Sequence, residues 1–377
     1  MIQFIDVGAQ YKILKKDIDD NIQKVLNHGK FIMGPEISEL ENKLSEYVGV
    51  KHCISTSSGT DALLMPLMAW GLGAGDAVFT TTFTFAATAE VISLLGATPV
   101  FADIDPDTFN LDPEKLGQAI KKVFKEGQFT PKAIIPVDLF GLPADYDKIE
   151  AIAKKYQLKI LEDAAQGFGG LYKRRRAGAF GDAAVTSFFP AKPLGCYGDG
   201  GAIFTENDEL AAVLKSIRIH GKGKDKYDNI RIGLNARLDT LQAAILLPKL
   251  RAFIQYEFAA RNKFAEMYTE GLEGILKTPT VPDGLTSSWA QYSVLAKDEE
   301  ERAMLQEKLK ESGIPTMIYY CKPLHLQTAY ANLGYKKGDF PVTEDVCSRI
   351  FSLPMHPYLT EDIIENIVTI IKKCLSN

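Results

Sequence analysis

Thr186-Ser-Phe-Phe-Pro-Ala-Lys-Pro-Leu-Gly-Cys-Tyr-Gly-Asp-Gly-Gly201 places one lysine, Lys192, between an aromatic run and a cluster of glycines. Residues 185–189 are apolar and uncharged and are predicted as a short buried strand; 202–205 are predicted as another. The chain between them must turn sharply, and Pro190, Pro193, Gly195, Gly198, Gly200 and Gly201 supply the backbone angles for that. An isolated loop lysine is ordinarily a solvated charge. A lysine fixed in a turn cannot easily reach water and is placed to form a Schiff base. The rest of the chain decides between the two.

On the N-terminal side, strands and helices alternate. Helices are expected over 10–28, 36–48, 62–70, 85–95, 113–125 and 145–156, and strands over 51–55, 77–80, 98–103, 133–137 and 159–161, the last running into Glu162-Asp163. This alternation implies right-handed crossovers and a mostly parallel sheet covered on both faces, with ligands beyond the carboxyl ends of the strands. Ser57-Ser-Gly-Thr-Asp61 joins a strand to a helix start and forms a ready anion site. Beyond Lys192, 222–228 reads as a surface loop and 237–268 as a long helix kinked by Pro248. From about residue 290 the pattern restarts, with strands over 291–296 and 315–320 and helices over 299–312 and 361–375. A large domain over 1–250 and a small α+β domain over 251–377 are expected.

Composition narrows the function classes. Lys+Arg 43 against Asp+Glu 48 gives a net charge of −5, which argues against nucleic acid or an anionic membrane as partner. No apolar run approaches the ~20 residues of a membrane span, and Met1-Ile-Gln-Phe-Ile-Asp6 does not read as a secretory signal. Five cysteines, with no two at metal-ligand or redox spacing, fit reduced thiols in the cytoplasm and no metal centre. Cys196 lacks an evident partner base and reads as packing.

Four features stand together: the turn at Gly59 and Thr60, the aromatics Phe83 and Phe85, Asp163 after an apolar strand, and Lys192. Pyridoxal 5′-phosphate needs such a set: an anion seat, a ring face, a carboxylate for the pyridine nitrogen and an amine for the aldehyde. Here the chain resembles the fold type I sugar-nucleotide aminotransferases of the DegT/DnrJ family over essentially its whole length. The motifs that carry the resemblance are Ser58-Gly-Thr-Asp-Ala62, Glu162-Asp-Ala-Ala-Gln166, Ser187-Phe-Phe-Pro-Ala-Lys192 with Gly198-Asp-Gly-Gly201, and Gly233-Leu-Asn-Ala-Arg-Leu-Asp239. Within the family they are most similar to enzymes that aminate a 3-keto UDP-N-acetylhexosamine uronate.

The resemblance implies an aspartate aminotransferase-like α/β fold and two half-reactions. L-Glutamate loads the cofactor with nitrogen, and a keto sugar on a nucleotide diphosphate receives it, in surface polysaccharide synthesis such as that of lipopolysaccharide O-antigen. It implies Lys192 as Schiff-base lysine and proton carrier and Asp163 as partner of the pyridine nitrogen. Gln166 and Phe85 would lie against the ring, and Gly59, Thr60 and Ser187 would hold the phosphate. Asn235 and Arg237 would reach the neighbouring site of a homodimer, Asn235 to the phosphate and Arg237 to the sugar nucleotide. Tyr319, Tyr320 and His325 would line the sugar site; Tyr319 and Cys321 stand where the uronate enzymes have histidine and proline. Relatives with histidine in place of the lysine are dehydratases, and Lys192 favours transamination. The rival readings are amination of a dTDP- or UDP-linked 3- or 4-keto-6-deoxy sugar, and a cofactor-bound regulator without turnover.

Overall fold

The structure, a computed structural model, describes residues 2–225 and 227–376. Met1, at the head of the segment read for a signal, and Lys226, inside the expected loop 222–228, lie outside the described residues. The continuous apolar runs form a seven-stranded sheet. Its strands are β1 (His52–Thr56), β2 (Asp76–Thr81), β3 (Thr98–Ala102), β4 (Thr130–Ile135), β5 (Lys159–Asp163), β8 (Ala183–Ser187) and β9 (Gly201–Thr205). A small ribbon is built from β6 (Leu171–Tyr172), β7 (Arg175–Arg176) and β10 (Leu285–Thr286), and a separate pair from β11 (Tyr292–Leu295) and β12 (Ile350–Leu353). The large sheet runs β1-β9-β8-β5-β4-β2-β3, and only β9 is antiparallel to its neighbours.

Strands buried on both faces need helices on both faces. The covering helices are α1 (Val7–His28), α2 (Pro35–Val48), α3 (Gly59–Ala69), α4 (Ala87–Leu94), α5 (Pro113–Glu126), α6 (Tyr146–Tyr156), α7 (Asp208–Ile217) and α8 (Thr240–Ala252). Because side chains alternate along a strand, Val78, Ile135, Leu161, Val185 and Ile203 pack with α3, α4 and α7. On the opposite face Phe79, Ile134 and Ile160 pack with α5 and α6, and Cys53, Ala184 and Phe204 with α2 and α8. A further core joins α9 (Phe258–Leu272), α10 (Glu299–Glu311) and α12 (Glu361–Leu375) to β11 and β12, through Phe264, Tyr268, Leu305, Phe351 and Ile367. The N-terminal stretch is tied to it: Ile2 packs there, and the Met355 N–H donates to the Phe4 carbonyl at 3.4 Å.

Two expected elements differ. The long helix starts at Thr240, not 237, and its irregular turn is a π segment at Phe253–Glu257, not a kink at Pro248. Proline leaves the carbonyl four residues before it without its helical partner. Here the Asn21 side-chain amide donates to that carbonyl, Ala244 O, at 3.2 Å, so the helix passes Pro248 unbroken. The expected boundary at 250/251 falls within this helix. Residues 315–320 do not form a strand; only Met317 bridges, to Ser352 of β12, and β12 takes the place beside β11. The helix α7, β12 and α11 (Pro341–Arg349) were not foreseen.

Candidate active site

Strands β1, β2, β5 and β8 deliver their carboxyl ends to one edge of the sheet, and antiparallel β9 leaves from the same edge. Open α/β sheets bind ligands there. Gly59 and Thr60, Phe85, Asp163, and Ser187 with Lys192 follow those strand ends.

At the end of β1 the Ser58 hydroxyl caps α3 by accepting the Asp61 N–H at 3.0 Å, which leaves Gly59 and Thr60 in the first turn with outward N–H groups. A Cβ on Gly59 would lie 2.7 Å from the Ser187 Cβ, and one on Gly201 would lie 2.5 Å from the Ser58 carbonyl. Only glycine lets the three segments meet.

The loop after β8 is bound down before it presents Lys192. The Phe188 N–H donates to Gly200 O at 2.8 Å, Cys196 N–H to Phe188 O at 2.8 Å, and Lys192 N–H to Phe189 O at 2.9 Å. Gln242 of α8 grips Tyr197 by both backbone groups, at 2.9 and 3.2 Å. Cys196 is buried and bonded within this loop, as its packing role requires. The Lys192 side chain lines the cleft and stays partly reachable, yet protein surrounds the amine. Burial lowers its affinity for a proton, and Asp163 opposes that shift.

Asp163 is 4% exposed. Its carboxylate accepts the Thr88 hydroxyl at 2.8 Å and the Ala165 N–H at 3.1 Å, and Thr88 is bonded to Thr84 at 3.1 Å. Burial raises its proton affinity, while these two hydrogen bonds and Lys192 restrain the rise. Phe85 is 58% exposed, whereas Phe83 is enclosed edge-on by Phe109, Phe140 and Tyr320, so Phe85 is the ring free to meet a ligand. The Gln166 amide is already engaged: its oxygen accepts the Phe140 N–H at 2.8 Å and its nitrogen donates to the Tyr320 hydroxyl at 3.2 Å. Tyr320 therefore keeps a hydroxyl proton to donate. Tyr319 is half-buried against Phe4.

His325 differs from the expectation. It is buried, with Nδ1 on the Thr82 hydroxyl at 2.8 Å and Nε2 on Glu344 at 3.1 Å, so both ring nitrogens are used and the imidazole braces the loop after β2 rather than lining the cleft. Asn235 and Arg237 flank Ala236, whose carbonyl accepts the Ser57 N–H at 3.1 Å. Asn235 is exposed, its side chain accepts from Arg237 Nη2 at 2.6 Å, and Arg237 Nε is enclosed without an acceptor. The residues that sequence reasoning missed are Thr84 and Thr88. Their signal was a pair of threonines four apart at a helix start, spacing that puts both on one face.

These residues fit pyridoxal 5′-phosphate. The glycine-only cradle at Gly59, Ser187 and Gly201 leaves room at a helix N-terminus for an anion, and a buried carboxylate and a buried amine stand near it without a direct ion pair among the described residues. The chain matches the model of the DegT/DnrJ/EryC1/StrS aminotransferase family over residues 12–372. It is 50% identical over 362 residues to UDP-2-acetamido-2-deoxy-3-oxo-D-glucuronate aminotransferase of Pseudomonas aeruginosa, covering 95% of this chain and 96% of that one. It is 37% identical over 377 residues to UDP-N-acetyl-3-dehydro-alpha-D-glucosamine 3-aminotransferase of Acidithiobacillus ferrooxidans, covering 99% and 98%. A crystal structure of a DegT DnrJ EryC1 StrS aminotransferase from Brucella abortus superposes with a TM-score of 0.97 at 52% identity over all of both chains. The sheet order, the cleft and the match along nearly the whole sequence agree: this chain belongs to the DegT/DnrJ/EryC1/StrS aminotransferase family.

Proposed function

We infer that this pyridoxal phosphate-dependent aminotransferase moves nitrogen from L-glutamate to carbon 3 of a UDP-linked 2-acetamido-3-oxo hexose, with the hexuronate as its first substrate. The observation that carries this reading is the 50% identity to the glucuronate enzyme over 95% of the chain, against 37% to the enzyme for the neutral sugar. The reading extends to a cytoplasmic homodimer that serves surface polysaccharide synthesis such as that of lipopolysaccharide O-antigen. It also divides the chain into a cofactor-carrying domain, 1–250, and a smaller one, 251–377.

When bound, pyridoxal phosphate supplies an electron sink and carries nitrogen between the half-reactions. In this reading Gly59, Thr60 and Ser187 would seat its phosphate, joined by Asn235 of the second subunit. Asp163 would pair with the ring nitrogen, and a positive charge there would offset the cost of burying the carboxylate. Phe85 would stack on the ring, and Gln166 holds the Tyr320 hydroxyl. The Lys192 amine, its proton affinity lowered by burial, would take the proton from the substrate carbon and return it. Arg237 reads the sugar nucleotide, and Tyr319 and Tyr320 border the sugar.

The neutral sugar is the second reading, because Tyr319 brings no charge to a uronate carboxylate. The test is kcat/KM of the amine-form enzyme for the 3-oxo uronate, its neutral counterpart and a 4-keto-6-deoxy sugar. A preference for the uronate supports the reading, and equal or better turnover of either other sugar overturns it. Absence of 2-oxoglutarate release from glutamate would remove the donor.

A further inference from the structure

Two carboxyl groups that the reaction does not use lie behind the cofactor edge. Asp138 follows β4, and Glu162 precedes Asp163 in β5; both are 0% exposed. Asp138 Oδ1 accepts the Ala144 N–H at 3.0 Å and the Tyr146 hydroxyl at 2.7 Å. The two Glu162 oxygens accept Gly178 N–H at 2.6 Å and Phe180 N–H at 2.7 Å. Asp138 Oδ2 is enclosed and has no donor, and the Asp138 carboxyl lies within hydrogen-bonding reach of that of Glu162. Among the described residues no lysine or arginine pairs with either group. Two buried carboxylates in contact cannot both stay ionised.

We propose that Asp138 and Glu162 share one buried proton, and that this bridged pair is the positioning element for Asp163 and Gln166. The geometry links the pair to both. Asp138 N–H donates to Asp163 O at 3.0 Å, and Asp163 N–H donates to Pro136 O at 2.9 Å, so the two strand ends are laced together around it. A Cβ on Gly167 would lie 2.4 Å from the Asp138 Cβ, so the turn that carries Gln166 rests directly on Asp138. Glu162 fastens the same strand end to the 178–180 turn. The titratable groups acting on the pair are Tyr146, whose hydroxyl stays neutral, and Asp163 on the cleft side. Burial raises the proton affinity of both carboxyls, Asp138 to about 7. The pair titrates as one unit, and its proton keeps a second buried charge away from Asp163.

The link to Asp163 rests on the proposed function; the shared proton does not, and infrared spectroscopy of the intact holoenzyme tests it without turnover. A protonated-acid carbonyl band should be present at neutral pH, shift in D₂O, vanish in Asp138→Asn and in Glu162→Gln, and survive in Asp163→Asn. No such band in the wild type, or one that persists in either of the first two variants, overturns the proposal. The two variants should also part company. Asp138→Asn can turn Nδ2 toward Glu162 and keep every bond, with the amide hydrogen in place of the proton. Glu162→Gln must set an NH₂ against a backbone N–H, and should slow the glutamate half-reaction at least ten-fold with little change in KM. A folded-state proton released on unfolding makes stability fall as pH rises from the unfolded carboxyl range, near 4, toward the raised folded-state value of the pair. The wild-type urea unfolding constant should therefore rise roughly ten-fold per pH unit relative to Asp138→Asn across that window. A flat ratio overturns the shared proton; a normal half-reaction in Glu162→Gln overturns the positioning role alone.

Discussion

Asp163→Asn separates charge from shape. The Asn oxygen can keep the Ala165 N–H, now at 3.1 Å, and Nδ2 can donate to the Thr88 hydroxyl, now at 2.8 Å. Thr88 then turns its own proton to Thr84 Oγ1, 3.1 Å away. Two hydrogen bonds reverse direction, Asp163–Thr88 and Thr84–Thr88, and none is lost, so the cost in stability should stay within the ~0.5–1.5 kcal/mol of one net hydrogen bond. For a chain of this size that is a Tm change of a few degrees at most, on the order of 2–4 °C per kcal/mol. What disappears is the negative charge opposite the ring nitrogen. Removing one preorganised charge interaction from the transition state typically costs ~10²–10³ in rate, about 2.7–4 kcal/mol. Stopped-flow spectroscopy of the half-reaction with L-glutamate measures the second quantity and thermal unfolding the first. A half-reaction within about three-fold of wild type would refute the charge argument and leave Asp163 a structural cap. A large fall in Tm would refute the hydrogen-bond accounting. In the cofactor-free protein, burial raises the Asp163 carboxyl, so its contribution to stability falls as pH rises through the folded-state value. The variant should lack that component.

Lys192→Ala should retain cofactor binding but lose the Schiff-base absorbance and all transamination; substantial remaining turnover would reassign the lysine. Mixing Lys192→Ala with Asn235→Ala protein should restore part of the activity through hybrid dimers with one intact site. If subunits demonstrably exchange and nothing returns, the site is not shared. In Arg237→Ala the preference for the uronate over its neutral counterpart should shrink by roughly 1.5–3 kcal/mol, the range for a hydrogen bond to a charged group. An equal loss on both sugars would mean that Arg237 holds a group they have in common.

The parts legible in the sequence are those where a local pattern and the tertiary context ask for the same thing. Strand–turn–helix alternation specifies a parallel sheet, and the sheet puts Gly59, Phe85, Asp163, Ser187 and Lys192 at one edge whatever the loops do. Pro248 shows the opposite case: the sequence predicts a kink there, but the carbonyl it leaves free, Ala244 O, is taken by Asn21, 223 residues before it, and no window of sequence contains both. His325 was hidden in the same way. Its motif placed it at the sugar site, while its fate was decided by Thr82 and Glu344, which take both of its nitrogens. Residues 315–320 carry strand-like composition, yet β12 occupies the pairing edge beside β11, so propensity had no partner to act on. Glu162 reads from the sequence as structural beside Asp163, and alternation along the strand gives the reason, since consecutive side chains face opposite ways. One carboxylate meets the cleft and the other meets Asp138, so the strand's two-residue period assigns adjacent acids to different chemistry.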